Sequence, residues 1–339
     1  MYNKDIAHIV YASDDRFAEI LGVSLVSLYE NNKDFSDIVV YILDSGISED
    51  NKSKLLSLSE KYKRSGMIFI PAKDISKELS VEVNLDRGSL SQYARLFVSS
   101  VLPSELNRVL YLDCDIIINK SISELWNLDL EGNTIGALND AFSKYYRRNI
   151  DLEENDIMFN SGVMLIDLDK WRDNSIEQKL MSFIKKKKGK IQQGDQGALN
   201  AVLSRETYCF EPRFNSVTIF YDFSYDEILV YRKPVNLYSR EQIRRAVEDP
   251  VIIHYTTSFI SERPWIEGSN HKYLDKWIEY KKISLWSDMP YWENSNKEKN
   301  INSFYVSIVK LLPRKLNIHL SGLLQAYGRP FIYYIKNIF

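Results

Sequence analysis

Short runs of β-branched and other apolar residues alternate along this chain with longer amphipathic segments, and this alternation limits its fold more than any other feature. Strands that alternate with helices form sheets whose faces are covered by helices. The first predicted strand covers 7–12, and a helix follows over 17–31, where apolar residues recur at helical spacing. The sequence therefore predicts an α/β fold.

The same alternation continues through the first half of the chain. Two further helices are expected, one over 48–62 with Ser48 as its N-cap residue and one over 90–102 that ends before Pro103. The remaining strands are predicted over 38–44, 67–72, 109–112, 134–140 and 161–168, all assigned to one parallel sheet.

Composition excludes several classes of function. A net charge of -2 produces no global field that would favour nucleic acid. The two cysteines, Cys114 and Cys209, predict no disulfide framework and indicate a reducing cytosol. The first residues lack a signal-peptide pattern, and no run of about 18 uncharged apolar residues predicts a membrane-spanning helix.

Asp113 and Asp115 stand one residue apart in RVLYLDCDIIINKSISELW (108–126), between two apolar runs. An unpaired carboxylate in apolar surroundings is costly, so both need a partner. Ligands of α/β sheets bind at the carboxyl ends of strands, where two carboxylates on one side suit a divalent cation bridging to phosphates. A second Asp-x-Asp, at Asp167 and Asp169, is interpreted instead as a capped helix start.

The end of the first strand, IVYASDDRF (9–17), is a candidate nucleotide pocket. The small Ala12 leaves room for a base or ribose, Asp14 and Asp15 can accept hydrogen bonds from hydroxyls or a uracil N–H, and Phe17 can stack on a ring. The competing interpretation is a helix N-terminus capped by either aspartate.

Six segments stand out along the chain, in the order YASDDRF, LSQYARLFV, RVLYLDCDIIINKSISELW, FNSGVMLIDLDKWR, GDQGALN and HYTTSFISERPW. In this order they resemble the motifs of glycosyltransferase family 8, which includes bacterial lipopolysaccharide galactosyl- and glucosyltransferases and glycogenin. The resemblance covers residues 6 to about 265. It implies a GT-A fold, a Rossmann-like mixed sheet flanked by helices, and retaining transfer from a UDP-sugar in the presence of Mn²⁺.

The resemblance implies a metal site made of Asp113, Asp115 and His254. An imidazole beside carboxylates suits Mn²⁺ better than Mg²⁺, which remains a second possibility. Without the resemblance, a lone histidine after an apolar run would be interpreted as a core residue.

The resemblance also implies the donor-binding residues. Ala12, Asp14 and Phe17 correspond to the uridine pocket, and Arg95 to an arginine that meets the donor near its sugar and holds neighbouring carboxylates. The alternative interpretation is that Arg95 is an exposed arginine on the surface of a helix. Cys114, Asn160 and Arg263 complete the donor-binding set; the Cys114 thiol itself is expected to pack away from the ligand.

The residues implied at the reaction centre are Asp140, Asp195 and Gln196, with Asn160 beside the donor sugar. Short acids and amides suit sugar hydroxyls, which both donate and accept hydrogen bonds. The resemblance places Gln196 nearest the reacting face of the anomeric carbon. Because an amide is a poor nucleophile, front-face displacement is favoured over a stable glycosyl-enzyme.

Three departures from the family pattern concern donor choice and loop geometry. Gly197 stands where the family often has a second aspartate. The loop after His254 lacks the usual glycine and carries Arg263 in place of a lysine, although a guanidinium can also clamp phosphate. Arg16 occupies a position that is often smaller.

The predicted protein is a hexosyltransferase that moves galactose or glucose from UDP to a glycan, lipid-linked or glycoprotein acceptor. A catalytically weak sugar-nucleotide- or glycan-binding protein is the first alternative. A phosphotransferase with Asp113 as nucleophile is the second, although that motif normally opens its domain and three strands precede it here.

The predicted catalytic domain covers 1–265, and the C-terminal region, 266–339, is assigned to basic and apolar helices. Apolar stripes recur over 301–312 and from Leu316 to Tyr327, with basic residues off the stripe. Such helices lie in the plane of an anionic membrane, which predicts a position at the inner face of the cell membrane. The alternative is a helical subdomain packed on the core, or a dimer contact.

Overall fold

The computed structural model describes residues 5–83, 90–294 and 312–336. Among these residues, seven strands form a central sheet in the order β3-β2-β1-β4-β7-β6-β8. Its strands are β1 (Ile6–Ser13), β2 (Asp37–Asp44), β3 (Ile68–Pro71), β4 (Arg108–Leu112), β6 (Ile135–Asn139), β7 (Phe159–Asp167) and β8 (Thr207–Cys209). A second sheet contains β5 (Ile116–Ile118), β9 (Ser216–Val217) and β10 (Ile252–His254), in the order β5-β10-β9.

Helices cover the central sheet, and their residues belong to two buried apolar clusters. The α/β prediction is confirmed. The helices are α1 (Ala18–Asn31), α2 (Glu49–Lys61), α3 (Ile75–Leu79), α4 (Val98–Val101), α5 (Ser123–Trp126), α6 (Lys144–Arg147), α7 (Leu168–Asp173), α8 (Ile176–Lys186), α9 (Gly194–Leu203), α10 (Thr218–Asp222), α11 (Tyr225–Arg232), α12 (Arg240–Glu248) and α13 (Leu274–Ile283), followed by tail helices at Arg314–Leu323 and Arg329–Lys336.

Two helix starts that the sequence predicts are confirmed. Ser48 caps α2 by accepting a hydrogen bond from the backbone N–H of Asn51. Asp167 caps α7 by accepting from the N–H of Lys170. The second Asp-x-Asp therefore begins a helix, as its sequence indicates.

The assignment of all strands to a parallel sheet is wrong for β7, which runs antiparallel to both β4 and β6. Strands buried on both faces are apolar along their whole length, so their sequences carry no signal of direction. The sheet is mixed, as the family resemblance implies.

The helix expected over 90–102 is also corrected. Leu90–Phe97 forms a 3₁₀ helix, and only α4 is α-helical. Residues three apart lie above one another in 3₁₀ geometry, which places Gln92 and Arg95 on the same side. The Arg95 Nε–H donates to the Gln92 carbonyl, 3.1 Å away, and both residues line the cleft described below.

The C-terminal region packs partly on the catalytic domain. Trp277 and Tyr280 of α13 belong to the first buried cluster. The first tail helix approaches α11 closely at Gly322, where a Cβ would lie 2.8 Å from the Val230 carbonyl oxygen. Residues 301–311 of the predicted tail stripe lie outside the described residues. The division of the chain at residue 265 stays a prediction.

No helix within the described ranges is both long enough and apolar enough to cross a bilayer.

Candidate active site

A cleft of about 840 Å³ opens beside the carboxyl ends of β1 and β4. Asp113 and Asp115 follow β4 directly, and Ala12 and Ser13 end β1. The cleft also receives Arg95 from the 3₁₀ helix and Asp195 from the first turn of α9. The topology of the sheet therefore collects side chains from four segments that are distant in the sequence.

Asp113, Asp115 and His254 form a cluster with the composition of a metal site. One ligand atom from each lies within 4.8 Å of the others. The His254 Nε2 atom is 3.3 Å from Asp115 Oδ1 and 3.9 Å from Asp113 Oδ2. Strand β10 pairs antiparallel with β5, which places His254 opposite Ile116, just after Asp115.

The surroundings of the cluster fit a bound cation. A Cβ on Gly162 would lie 2.2 Å from His254 Cε1 and 2.9 Å from Asp113 Oδ2, so only glycine leaves this cradle open. Hard and borderline divalent cations accept carboxylate oxygens together with an imidazole nitrogen. The three side chains therefore fit the divalent metal that the resemblance implies.

A chain of hydrogen bonds fixes the tautomer of His254. The Gly162 N–H donates to Asn160 Oδ1, which also accepts from Asn215 Nδ2. The Oδ1 atom of Asn215 therefore faces His254 Nδ1, 2.9 Å away, and accepts a hydrogen bond from the Nδ1–H group. Nε2 is left with its lone pair toward the two carboxylates, as a metal ligand requires.

Arg95 is buried among carboxylates rather than exposed on a helix. Its guanidinium is 2.8 Å from Asp113 Oδ1 and 3.1 Å from Asp195 Oδ2, and it donates to the Ser161 carbonyl. Burial disfavours its charge, but Asp113 and Asp195 outweigh that cost and keep the pKa of Arg95 above its usual value. Arg95 thus joins the proposed metal and reaction-centre residues.

Arg263 reaches the same carboxylates from the opposite loop. Its Nη2 atom is 3.2 Å from Asp115 Oδ2 and donates to Thr257 Oγ1, and its guanidinium lies over the Trp265 ring. The loop that lacks the family glycine therefore still delivers a cation to the cleft. Since Arg95 contacts Asp113 and Arg263 contacts Asp115, the protein itself supplies a partner for each carboxylate of the metal cluster.

Gln196 is held against the backbone of β7. Its Oε1 atom accepts from the Ser161 N–H at 3.2 Å, and its Nε2 atom lies 3.4 Å from Gln193 Oε1. Gln196 and Asp195 both line the cleft. Two of the three residues implied at the reaction centre, Asp195 and Gln196, are therefore together, one turn or less from the start of α9.

Asp140 and Asn160 lie behind the cleft rather than in its lining. Asn160 Nδ2 donates to Asp140 Oδ2 at 3.4 Å, while Asn160 Oδ1 belongs to the network that holds His254. Their contact with a donor sugar stays a prediction.

The sequence of the segment at the end of β1 and after it allows two interpretations, a nucleotide pocket and a capped helix N-terminus, and the residues divide between them. Ala12 and Phe17 line the cleft. Asp14 caps the following 3₁₀ turn by accepting from the Phe17 N–H at 3.2 Å, and Asp15 accepts from the Ser48 N–H. The predicted cap is confirmed for Asp14, and its role toward uridine stays a prediction.

Cys114 lines the cleft, but its thiol is directed at the main chain and donates to the Ala12 carbonyl at 3.3 Å. Burial raises the pKa of this thiol well above its usual range. A protonated, hydrogen-bonded thiol is unreactive. The side chain of Cys114, which stands between the two aspartates in the sequence, therefore has a packing role.

Gly197 has a steric reason to be glycine in this chain. A Cβ at this position would lie 2.1 Å from the Gln192 carbonyl oxygen and 2.9 Å from the side chain of Ile191. The turn before α9 packs directly on the backbone of Gly197, so this chain has no room for the usual aspartate.

Sequence reasoning missed several residues of the site. Asn215 is completely buried in the RFNS segment, and Ser161 and Gly162 belong to the quoted FNSG segment without an assigned role. The Phe-Asn-Ser triplet repeated at 159–161 and 214–216 was the available signal. Trp292 and Glu293 also line the cleft, and no pattern connects them with it.

The model of glycosyl transferase family 8 matches residues 8–267 of this chain. The chain belongs to glycosyltransferase family 8. The recognition made from the six sequence segments is therefore confirmed.

The chain is also similar to named proteins and to a solved structure. General stress protein A of Bacillus subtilis is 30% identical over 290 residues, covering 85% of this chain and 97% of that protein. A lipopolysaccharide 1,2-glucosyltransferase of Escherichia coli K12 is 25% identical over 290 residues, covering 83% of this chain and 79% of that enzyme. The galactosyltransferase LgtC, solved with donor and acceptor sugar analogues, matches with a TM-score of 0.69 and 25% identity over 82% of this chain and 96% of LgtC.

This chain is therefore a glycosyltransferase with a GT-A fold, since it belongs to family 8 and its structure matches that of LgtC. Sugar transfer requires a nucleotide-sugar donor and a glycan acceptor, and the Asp113–Asp115–His254 cluster indicates a divalent metal.

Proposed function

We propose that this protein is a retaining, Mn²⁺-dependent hexosyltransferase that transfers galactose or glucose from a UDP-sugar to a hydroxyl of a glycan or glycoconjugate. The carrying observation is the Asp113–Asp115–His254 cluster inside the cleft, with the Nε2 lone pair of His254 directed at the two carboxylates. A nitrogen ligand among carboxylates favours Mn²⁺ over Mg²⁺.

Phosphate binding is assigned to the groups around the cluster. When bound, a divalent cation supplies positive charge that stabilises the diphosphate leaving group. Arg263 lines the cleft beside Asp115 and has the planar donor fork that suits a phosphate. Arg95 orients Asp113 and Asp195 at once and thereby couples the phosphate end of the site to the sugar end.

Uridine recognition is assigned to the residues after β1. Ala12 and Phe17 line the cleft, with a small side chain beside the backbone and a ring that can stack on a pyrimidine. The carboxylate of Asp14, next to them, is the proposed acceptor for the uracil N–H.

At the reaction centre, Gln196 is proposed to face the anomeric carbon, and Asp195, Asp140 and Asn160 to orient the sugar hydroxyls. The bond from the anomeric carbon to the diphosphate oxygen breaks, and a bond to the acceptor oxygen forms on the same face. The acceptor proton passes to the departing phosphate oxygen. Fixed polar groups at such a centre stabilise developing charge without reorganising.

The proposed location is the cytoplasmic face of the membrane, with the tail in contact with lipid. In the described part of the tail, the apolar side chains of its outward face are between 36% and 57% exposed, although Tyr327 and Tyr334 also contact Tyr145 and Arg148, respectively. Lys315, Arg329 and Lys336 flank this face, whereas Arg314 forms an ion pair with Glu227. The outward-facing residues are Leu316, Leu320, Leu323, Leu324, Tyr327, Phe331, Tyr334 and Ile335. Such a surface suits a lipid-linked acceptor.

The deciding experiment measures UDP release by the full chain from UDP-galactose and UDP-glucose, with Mn²⁺ or with chelator, and with a panel of glycan acceptors. NMR of the product reports the anomeric configuration. Acceptor-stimulated UDP release that is lost in chelator, with retained configuration, is expected. Binding of UDP without turnover would identify a sugar-nucleotide-binding protein. Formation of UMP in place of UDP, with transfer of the sugar phosphate, would identify a phosphotransferase.

A further inference from the structure

The segment that follows α13 ends beside the donor cleft. We call residues 284–293 the strap. Its last two residues, Trp292 and Glu293, line the cleft, although the family match ends at residue 267. This wall of the cleft therefore comes from a part of the chain that lies outside the family pattern.

Backbone hydrogen bonds and ring contacts fix the position of Trp292. Its N–H donates to the Trp265 carbonyl at 2.7 Å, and its carbonyl accepts from the Glu267 N–H at 2.9 Å. The Arg16 guanidinium lies 4.9 Å from the centre of its indole, and the Phe17 ring packs edge-to-face against it at 5.6 Å. We call the segment after β1, residues 14–17, the nucleotide loop. Trp292 is thus held against Arg16 and Phe17, the last two residues of this loop.

A buried ammonium ties the strap to the helix that begins at this loop. The side chains of Lys281 and Glu19 form an ion pair and are only 5% and 6% exposed. Lys281 Nζ also donates to the Met289 carbonyl at 2.8 Å and lies over the Trp277 and Tyr291 rings. Because Glu19 is two residues after Phe17, one cation holds both the nucleotide loop and the strap.

Trp286 anchors the middle of the strap on α1. Its indole lies flat on Gly22, where a Cβ would come within 2.1 Å of the ring. Its Nε1–H donates to Asn51 Oδ1 at the start of α2. A segment seated by an ion pair, an indole and two backbone hydrogen bonds is a built part of the cleft.

We propose that Trp292 contacts the nucleoside half of the donor and that the strap holds it there, with Lys281 and Gly22 as positioning residues. This inference rests on the proposed UDP-sugar donor. The nucleoside half is favoured because Trp292 packs on Arg16 and Phe17, whereas Asp195 and Gln196 hold the sugar end beside Ser161. Arg16, whose position is often smaller in the family, has this indole as its aromatic partner.

Calorimetry with UDP and with UDP-glucose tests the contact in the full-length protein. Trp292→Ala is expected to weaken both ligands equally, by about three- to tenfold, the range for loss of one aromatic contact. Trp292→Phe should restore part of the affinity. Leu285→Ala is the matched control, because this strap side chain is 47% exposed and has no assigned contact.

The double variant Glu19→Gln/Lys281→Met tests the tether. Replacing both charges avoids leaving one buried and unpaired, and a melting curve verifies that the variant folds. A raised KM for the donor with a smaller change in kcat is expected, since the strap meets the nucleoside and not the reacting carbon.

Each outcome has a distinct meaning. Unchanged UDP affinity in Trp292→Ala overturns the inference while the proposed donor stands. Weaker binding of UDP-glucose alone places Trp292 at the sugar and also overturns it. Failure of the wild-type protein to bind UDP would overturn the proposed donor first, and with it the assignment of Trp292.

Discussion

Asn215 and His254 share a hydrogen bond of 2.9 Å that determines which nitrogen of the imidazole faces the two aspartates. Because Asn215 already donates its amide N–H to Asn160, its carbonyl oxygen must accept from His254 Nδ1. The direction of this bond follows from the backbone N–H of Gly162, which donates to Asn160 Oδ1, because a main-chain N–H can only donate. A fixed main-chain donor thus sets the tautomer of a side chain three hydrogen bonds away.

Removing this bond should weaken metal binding without touching a ligand. In Asn215→Leu the imidazole loses its orienting acceptor, and Mn²⁺ affinity should fall by about 10- to 100-fold in calorimetry. Asn215→Asp keeps an acceptor toward Nδ1 and should lose less. Equal Mn²⁺ affinity in wild type and Asn215→Leu would show that the histidine is not a ligand.

The two aspartates should respond differently to neutralisation. Turnover that depends on Mn²⁺ should be lost in both Asp113→Asn and Asp115→Asn. Asp113→Asn should also lower the free energy of unfolding by about 2 kcal/mol, because buried Arg95 loses one of its two carboxylate partners. Arg263 is more exposed than Arg95, so Asp115→Asn should cost less stability.

Urea unfolding of both variants and activity assays with and without chelator provide the measurements. Full activity of the wild type in excess chelator would remove the metal from the mechanism. Equal stability of wild type and Asp113→Asn would show that Arg95 does not depend on this carboxylate.

Much of this site was predictable because its residues lie at the ends of apolar runs. The strands ending at Ser13 and Leu112 could be located by hydropathy alone, and their carboxyl ends meet at one edge of the sheet. The direction of β7 was not predictable, since burial on both faces removes the alternation that would report it.

Other parts required the folded chain. Asn215 is a buried polar residue whose partners, Asn160 and His254, lie 55 and 39 positions away. Trp292 meets the nucleotide loop from the C-terminal region, outside the family match, through anchors that no local pattern records. Such long-range pairings come from topology, which a single sequence specifies only indirectly.

Gln196→Ala should reduce turnover more than donor binding. The Gln196 side chain is fixed by the Ser161 N–H and lines the cleft at the proposed sugar end, away from the nucleoside. A fall in kcat on the order of 100-fold is expected, with UDP affinity within about twofold of wild type. Stopped assays of turnover measure kcat, and calorimetry with UDP measures the affinity. A collapse of UDP affinity with turnover preserved would place Gln196 at the wrong end of the donor.

Acid should destabilise the protein through His271. Burial lowers its pKa to about 4, because the imidazole is enclosed by Tyr221 and Tyr255 and Nδ1 accepts from the Tyr273 N–H. A pKa below the unfolded value of 6.5 means that the contribution is fully present above pH 6.5 and is lost as pH falls toward 4. The loss attributable to this group is about 3 kcal/mol.

His271→Gln is the comparison, because an amide oxygen can accept the same N–H and does not titrate. The difference in unfolding free energy between wild type and variant should shrink or reverse from pH 7 to pH 4 in urea titrations. Parallel pH profiles for the two proteins would show that His271 is not the responsible group.

The tail should bind anionic membranes through its outward face. The variant Leu320→Ser/Leu323→Ser/Phe331→Ser removes three side chains that are 42%, 53% and 57% exposed, so the fold should be unaffected. Partition onto phosphatidylserine vesicles should weaken at least tenfold, given the apolar area that each side chain would bury in lipid. Wild-type binding should also weaken as salt rises, because the flanking lysines and arginines are screened.

A matched variant distinguishes this face from general surface hydrophobicity. Leu56→Ser/Ile283→Ser/Leu285→Ser removes three side chains of similar exposure elsewhere on the surface and should leave sedimentation with vesicles unchanged. The inner face of the tail is occupied in any case, because Ser143 and Tyr146 donate to the carbonyls of Ala326 and Gln325. Those bonds, together with the contacts of Tyr327 with Tyr145 and of Tyr334 with Arg148, hold the helices on the core without Leu320, Leu323 or Phe331. Equal loss of sedimentation in both triple variants would assign the effect to nonspecific adsorption and remove the membrane from the proposal.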